Sequence, residues 1–259
     1  MTAVLGMEWT KLRSVRSTYW TLLFAIAATI GISALICSLY INRYAQLSPA
    51  DRFEFNATRF SLNGLELAQL AIGVLGALVI TNEYSTGVIR ATLSAVPQRP
   101  SVLAAKALVF GAVILVVGEA ASFAAFFLGQ SILSSRHIEA HLGDPGVLRA
   151  VIGGGLYLTV LGLFALGIGT MIRHTAGAIA TLFGLLLVLP GIVAALPLSW
   201  QNAIEKWLPA NAGQAIFRNG HGGFAGIHQL SPWAGLGIFC AYAAASLILG
   251  GVLLVRRDA

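Results

Sequence analysis

The sequence predicts an all-α integral membrane protein with six transmembrane helices, and its composition and apolar patterning support that fold class. Of 259 residues, 57% are hydrophobic and 10% are charged, whereas soluble domains carry about 25% charged residues. The mean hydropathy is +0.82. The longest polar stretch, about 199–232, is too short to form a core of its own. Residues 1–259 are therefore expected to form a single transmembrane domain.

Six apolar runs are long enough to cross a hydrocarbon core of about 30 Å, which takes about 20 helical residues. They cover approximately residues 19–41, 65–81, 102–128, 150–172, 176–198 and 233–255. The second run is the weakest, because Glu66 and Gln69 lie near its start. In the fifth run, Pro190 and Gly191 are expected to kink the helix, as a hinge or as a tolerated bend, because proline removes a backbone hydrogen bond.

The positive charges predict that both termini lie in the cytoplasm. An even number of spans places the termini on the same side, and Lys and Arg residues concentrate in short cytoplasmic segments. In this orientation the inside cations are Lys11, Arg13, Arg16, Arg90, Arg99, Lys106, Arg173, Arg256 and Arg257. The net charge of +6 is therefore interpreted as a topology signal, and a nucleic-acid partner is not expected.

Several classes of enzyme lack their motifs in this sequence. A P-loop needs Gly-Lys-Ser/Thr to hold phosphate, and none of Lys11, Lys106 or Lys206 stands in that context. Intramembrane proteases need a histidine in the membrane core, and the five histidines all lie outside the apolar runs. In HIEAHLGD, His137 and His141 would share a helix face, but a solvated loop is the favoured interpretation and no metal site is predicted.

Glu119 is the notable ionisable residue within an apolar run. A carboxylate is costly in lipid and often functional, so Glu119 is a candidate for an ion pathway. The alternative is a protonated or paired side chain that fixes helix packing. Cys37 and Cys240 also fall inside apolar runs, which predicts two buried free thiols and no disulfide framework.

The N-terminal segment is expected to form a helix before the first span. Leu5, Trp9, Leu12, Val15 and Tyr19 recur at helical spacing. An apolar stripe of this kind suits a helix that lies in the membrane interface. A simple positively charged anchor for the first span is the alternative.

A short charged segment, TNEYSTGVIRATLSAVPQRP at residues 81–100, separates the second and third runs. Glu83 to Ala95 are expected to form a helix, with Glu83 in its first turn, where a negative charge suits the helix dipole. Pro97 is expected to end this helix. The side chains expected to point outward are those of Thr86, Arg90 and Thr92. By its physics alone the segment is either a connector between spans or a docking surface.

This segment also resembles a known family. Residues 82–108, NEYSTGVIRATLSAVPQRPSVLAAKAL, are similar to the region between the second and third spans of ABC-2 type transporter permeases. That region commonly has a glutamate, then Thr-Gly-x-Ile-Arg, then Thr-Leu, a proline with a basic turn, and a lysine entering the next helix. EWTKLRSVRSTYW at 8–20 resembles the start of the family, and WLPANAGQAIF at 207–217 resembles its segment before the last span.

The resemblance implies three further elements of the fold. Segment 83–96 would be a cytoplasmic coupling helix that docks into a separate ATPase subunit. Segment 5–18 would be the elbow helix of the family, and 199–232 would form outer re-entrant helices before the sixth span. The implied ATPase-coupling residues are Glu83, Tyr84, Thr86, Gly87, Arg90, Leu93 and Arg99. The implied secondary ATPase contacts are Glu8, Lys11, Arg13 and Arg16.

The same resemblance implies the permease half of an ATP-driven exporter in the plasma membrane, expected to be the bacterial inner membrane. Two permease chains, expected to form a homodimer, would join two ATPase chains that bind ATP and Mg, and this chain would bind no cofactor itself. Apolar walls with few fixed charges suit a hydrophobic or amphipathic substrate such as a drug, an antibiotic or a peptide. The competing hypothesis is a membrane protein without an ATPase, either an ion pathway or a regulatory anchor, that uses Glu119.

Overall fold

The computed structural model describes residues 2–46, 48, 52, 55–96, 98–218 and 230–256, and throughout these residues the regular elements are helices. The helices are α1 (Thr2–Ser14), α2 (Arg16–Arg43), α3 (Ala57–Leu62), α4 (Leu65–Ser85), α5 (Val88–Ala95), α6 (Arg99–Leu133), α7 (Val147–Ile172), α8 (Thr175–Phe183), α9 (Leu189–Ala194), α10 (Leu198–Ile204), α11 (Pro209–Gln214) and α12 (Pro232–Arg256). The predicted all-α class is confirmed.

Six helical segments in the described part of the chain are long and apolar enough to cross a membrane. They are Arg16–Arg43, Ala57–Ser85, Arg99–Arg136, Val147–Ile172, Thr175–Ala194 and Pro232–Arg256. Each of the six apolar runs found in the sequence falls on one of these segments. The weakest run, 65–81, also falls on a candidate span, Ala57–Ser85.

The central helix of the bundle is α7, which packs against α4, α6 and α12. Glycines let these helices approach closely, as is common in membranes. An added Cβ on Gly76 of α4 would lie 2.5 Å from the carbonyl oxygen of Gly162 and 2.9 Å from the Cβ of Ala165, both on α7. The packing of α4 on α7 therefore depends on the missing side chain of Gly76.

Helices α2 and α12 bury one face and expose the other. Trp20 on α2 and Ile248 on α12 are among the large exposed side chains. On α12 the buried face includes Phe239, so its neighbour in sequence, Cys240, lies off that face and is exposed, while Cys37 is buried. The prediction of two buried thiols is therefore wrong for Cys240, because α12 packs on one side only.

The bundle has two ends, which the chain connectivity defines. The terminal end carries α1, α5, the connection from α7 to α8, and the last turn of α12. Here Arg99 donates a hydrogen bond to the carbonyl of Leu254 (2.8 Å), and Arg173 donates to the carbonyl of Leu253 (2.9 Å). These arginines bind the free carbonyl groups at the end of α12, where positive charge is favourable.

The opposite end carries α3, α10, α11 and the loop at 137–146. Gln69 accepts hydrogen bonds from the hydroxyl of Tyr157 and from Gln214 Nε2 (3.4 Å). Arg218 donates to Gln214 and lies 3.7 Å from Glu66. This polar chain holds α11 against α4 and α7. Re-entry of 199–232 from the membrane surface stays a prediction, and residues 219–229 of that stretch lie outside the described part.

The helix of the fifth span is disturbed before Pro190, as the sequence predicts. Before Pro190 the helix widens into a π-helical segment at Gly184–Val188, in which the N–H of Leu189 bonds to the carbonyl of Gly184. A π segment beside a proline is a known accommodation of the lost hydrogen bond.

The stretch HIEAHLGD forms a loop. His137 is left-handed (φ 57°), and the N–H of His141 donates a hydrogen bond to Asp144. That stretch is a loop, as favoured, and its histidines share no helix face.

Candidate functional site

The junction between α4 and α5 is made by one glycine. Gly87 has φ 73°, a left-handed conformation that glycine adopts without steric cost. It ends α4 and starts α5 in a new direction. Glu83 therefore lies in the last turn of α4 and not in the first turn of the short helix, so that prediction is wrong. The short helix ends at Ala95, and Pro97, expected to stop it, lies outside the described residues.

Helix α5 has an inner and an outer face. Ile89, Thr92 and Leu93 are buried against the bundle. Arg90 and Ala91 are exposed, as is Thr86 just before the helix. The outward direction predicted for Thr86 and Arg90 is confirmed. Thr92 was expected to point outward and instead points inward, because its hydroxyl accepts a hydrogen bond from Lys11 Nζ at 2.9 Å.

Beneath α5 lies a closed ring of alternating charges, here called the ion ring, formed by Glu8, Lys11, Glu83 and Lys106. Lys106 Nζ is 2.5 Å from Glu8 Oε2 and 2.7 Å from Glu83 Oε1. Lys11 Nζ is 3.0 Å from the same Glu83 oxygen and 3.1 Å from Glu8 Oε1. Each carboxylate thus contacts both ammonium groups, and each ammonium group contacts both carboxylates.

The ion ring is buried at one side and partly open at the other. The side chains of Glu8 and Lys106 are each 3% exposed, whereas that of Lys11 is 25% exposed. Burial of a single charge is strongly unfavourable, so buried charges occur in pairs or networks. Two carboxylates and two ammonium groups make the ring neutral. Oε2 of Glu83 is buried and has no hydrogen-bond partner among the described residues, so the ring retains one unused acceptor.

The ring joins three helices that are far apart in sequence. Glu8 and Lys11 belong to α1, Glu83 to α4 and Lys106 to α6. Through Lys11 the ring also contacts Thr92 of α5, whose hydroxyl in turn donates to the carbonyl of Val88 (3.0 Å). One hydrogen bond therefore links α5 directly to Lys11 of α1 and, through Lys11, to the ring residues of α4 and α6. A displacement of α5 away from α1 would break this hydrogen bond.

A cavity of about 410 Å³ lies beside the ring, between the α1–α2 junction, α4 and α5. All four ring residues line it. Its remaining walls are mainly apolar and include Leu12, Val15, Leu75, Val79 and Val88. The terminal end of the bundle therefore contains space next to the charges, and not a fully packed core.

The other residues of the expected coupling set and of the expected secondary contacts are divided between surface and interior. Tyr84 is half-buried, and the guanidinium group of Arg173 lies 5.1 Å from the centre of its ring, within the range of a cation–π contact. Arg99 contacts the end of α12, as described above. Arg13 and Arg16 are exposed, and a break at Val15 separates α1 from α2, so the expected continuous 5–18 helix is two helices.

Lys106 is the ring residue that the sequence-based site prediction missed. It lies 3% exposed in a helix long enough to span a membrane. A lysine in such a helix is costly unless paired, by the same physical argument that makes Glu119 notable. A lysine within an apolar run therefore indicates a buried ion pair already in the sequence, although the sequence does not show that its partners lie on α1 and α4.

Glu119 lies on α6 at a distance from the ring along that helix. Its carboxyl group packs on Gly155 of α7, where an added Cβ would overlap it. Oε2 of Glu119 is buried and lacks a hydrogen-bond partner among the described residues. In the described structure the ring and Glu119 are thus two separate ionisable features of α6.

A family model matches the larger part of the chain. The model of the ABC-2 family transporter proteins matches residues 4–191. The match includes α1 from Val4 onward, the α4–α5 junction and the four residues of the ion ring. A search of curated proteins gives no match.

Proposed function

The chain belongs to the ABC-2 family of transporter membrane proteins, and on that premise we propose that it is the permease subunit of an exporter driven by a separate ATPase subunit. Membership of this permease family implies association with an ABC ATPase subunit. In the proposal the terminal end of the bundle faces the cytoplasm, and the exposed face of α5 docks on the ATPase.

The observation that carries the proposal is the ion ring beneath α5. A loop that only connected two spans would not need a buried, closed set of charges that joins it to three other helices. A coupling helix that transmits movement does need firm contacts with the spans. Coupling between distant sites requires elements that move together between defined positions. The ring supplies such a connection from α5, through Thr92 and Lys11, to α4 and α6.

Residues of the coupling set and of the secondary contacts, joined by their exposed neighbour Ala91, then divide into two roles. Thr86, Arg90 and Ala91 are exposed and would form the contact surface, together with Arg13 on α1. Glu8, Lys11 and Glu83 lie in the ring and would act from inside the chain. The ATPase pair would bind ATP with Mg, and its closure would move α5 and open a path between two copies of the permease for a hydrophobic or amphipathic compound.

Co-purification tests this assignment. The chain would be solubilised from its native cells as wild type, as Arg90→Glu, and as Ala91→Trp, which blocks the same face by bulk alone. Arg136→Glu, at the opposite end, is the matched charge control. We expect the ATPase subunit to co-purify with wild type and Arg136→Glu and to be lost from the two α5 variants. Retention of the ATPase by correctly folded Arg90→Glu and Ala91→Trp would refute docking through α5.

A second function remains tied to Glu119, because its buried carboxylate oxygen has no partner among the described residues. Ionisable groups inside the membrane often mark ion pathways. In that case the chain would act without an ATPase, as an ion pathway or a regulatory anchor. Glu119→Gln would then abolish function while Arg90→Glu would be tolerated, whereas the exporter proposal expects the reverse order of sensitivity.

A further inference from the structure

A surface groove runs between α6 and α12 at the terminal end of the bundle. Its volume is about 610 Å³, and its walls include Leu103 and Ala107 from α6 and Leu247 and Gly251 from α12. An added Cβ on Gly251 would approach only Leu103, at 3.6 Å, an ordinary contact distance. The groove therefore exists because small residues leave the space between the two helices unfilled.

The groove is open to the surroundings of the bundle. Ile248, Val252 and Val255 line it, and they are 65%, 41% and 54% exposed. In a spanning helix such apolar side chains face the hydrocarbon region of the membrane. The groove can therefore be entered sideways by a molecule that already lies in the bilayer.

The length of the groove matches one leaflet. Its lining on α12 extends from Leu247 to Arg256, which corresponds to roughly 14 Å at a helical rise of about 1.5 Å per residue. Half of a hydrocarbon core about 30 Å thick is about 15 Å. An acyl chain lying along the groove would thus start at the membrane surface near Arg256 and end near the bilayer centre.

The charge at the surface end of the groove is positive. Arg256 is the charged residue among the described groove-lining residues. Arg99 directly precedes Pro100, which also lines the groove, and both Arg99 and Arg173 contact the last turn of α12. Guanidinium groups bind phosphate through paired hydrogen bonds. Basic pockets between transmembrane helices bind anionic lipid head groups.

From these observations we infer that the groove is a binding site for an anionic phospholipid. One acyl chain lies along Leu103, Ala107, Leu247 and Gly251, and the phosphate of the head group contacts Arg256. The site requires only that the chain lies in a membrane. It therefore stands or falls separately from the proposed coupling to an ATPase.

Native mass spectrometry of the purified full-length chain tests the site. Phosphatidylglycerol and phosphatidylcholine with identical acyl chains would be added in equal amounts, and the retained lipids counted. Wild type is expected to retain phosphatidylglycerol in preference. Arg256→Gln should lower this preference about fivefold, the effect of one arginine near an anionic surface. Gly251→Leu should lower retention of both lipids, because its side chain fills the groove.

Two variants serve as matched controls. Arg136→Gln removes an arginine at the opposite end, and Gly237→Leu adds the same side chain to α12 at a position where nothing lies within 4 Å. Both should behave as wild type. Because Arg256 is exposed, its variant should fold even if Gly251→Leu does not.

Three results would overturn the assignment. The first is equal retention of the two lipids by wild type. The second is an unchanged lipid preference in Arg256→Gln. The third is a Gly251→Leu chain that keeps its lipids but loses its association with a second copy, which would assign the groove to contact between permease chains.

Discussion

Nζ of Lys106 lies 2.7 Å from Oε1 of Glu83, so a buried lysine of α6 holds the last turn of α4, next to the glycine at which α5 begins. The pair lies within a neutral ring that also includes Glu8 and Lys11. Removing one member of a buried ion network leaves an uncompensated charge, which is more costly than losing the contact itself.

Lys106→Met should destabilise the folded chain by about 3–5 kcal/mol, because it leaves two buried carboxylates with one partial partner in Lys11. The measurement is thermal or SDS-induced unfolding of the purified protein. Adding Glu8→Gln to Lys106→Met makes the ring neutral again and should recover part of the loss. Lys206→Met is the control, since Lys206 is only half-buried and should change stability little. Equal stability of Lys106→Met and wild type would contradict a structural role of the ring.

Gly87→Ala should strain the junction between α4 and α5. Nothing lies within 4 Å of an added Cβ, and φ is 73°, so the cost is conformational and should be about 1–2 kcal/mol. If α5 docks on an ATPase, the variant should also retain less of that subunit on purification. Gly6→Ala, in the helix α1 with open space around it, should be neutral or slightly stabilising. A Gly87→Ala chain as stable as Gly6→Ala would exclude strain at this position.

Gly76→Ala should separate α4 from α7, because its Cβ would lie 2.5 Å from a backbone oxygen that cannot move alone. We expect a loss of about 1–3 kcal/mol, typical of overpacking. Gly31→Ala on α2 provides the comparison, since nothing lies within 4 Å there. Unfolding of both variants in the same detergent is the measurement. Indistinguishable midpoints would show that the α4–α7 contact tolerates a methyl group.

Gln69→Leu should leave the buried hydroxyl of Tyr157 without its acceptor at the opposite end of the bundle. The expected cost is about 1–3 kcal/mol, the penalty for an unsatisfied buried polar group. The double variant with Tyr157→Phe should be more stable than Gln69→Leu alone, because both partners are then apolar. A double-mutant cycle in unfolding experiments measures this coupling. Strictly additive losses would mean that the pair contributes no specific interaction.

The sequence by itself determined the six spans, because the thickness of the hydrocarbon core requires long apolar runs. Six runs are long enough, among them those that contain Gly73, Gly162 and Gly250. It also located a short helix between the second and third spans. A proline in the fifth span predicted a disturbance of the helix, which Pro190 shows as a π-helical segment. These features depend on local composition and on one-dimensional periodicity, so no knowledge of packing was needed.

The tertiary structure decided which charged side chains meet. The sequence predicts Glu83 in the wrong helix and Thr92 on the wrong face, because both positions depend on the left-handed turn at Gly87 and on the approach of α1. Lys106 is not among the functional residues that the sequence predicts, although its burial makes a partner necessary. Lys106 and Glu8, which contact each other in the ring, are 98 positions apart in the sequence. Helical periodicity describes the faces of one helix, whereas the ring arises from how three helices pack together, and only the folded chain determines that arrangement.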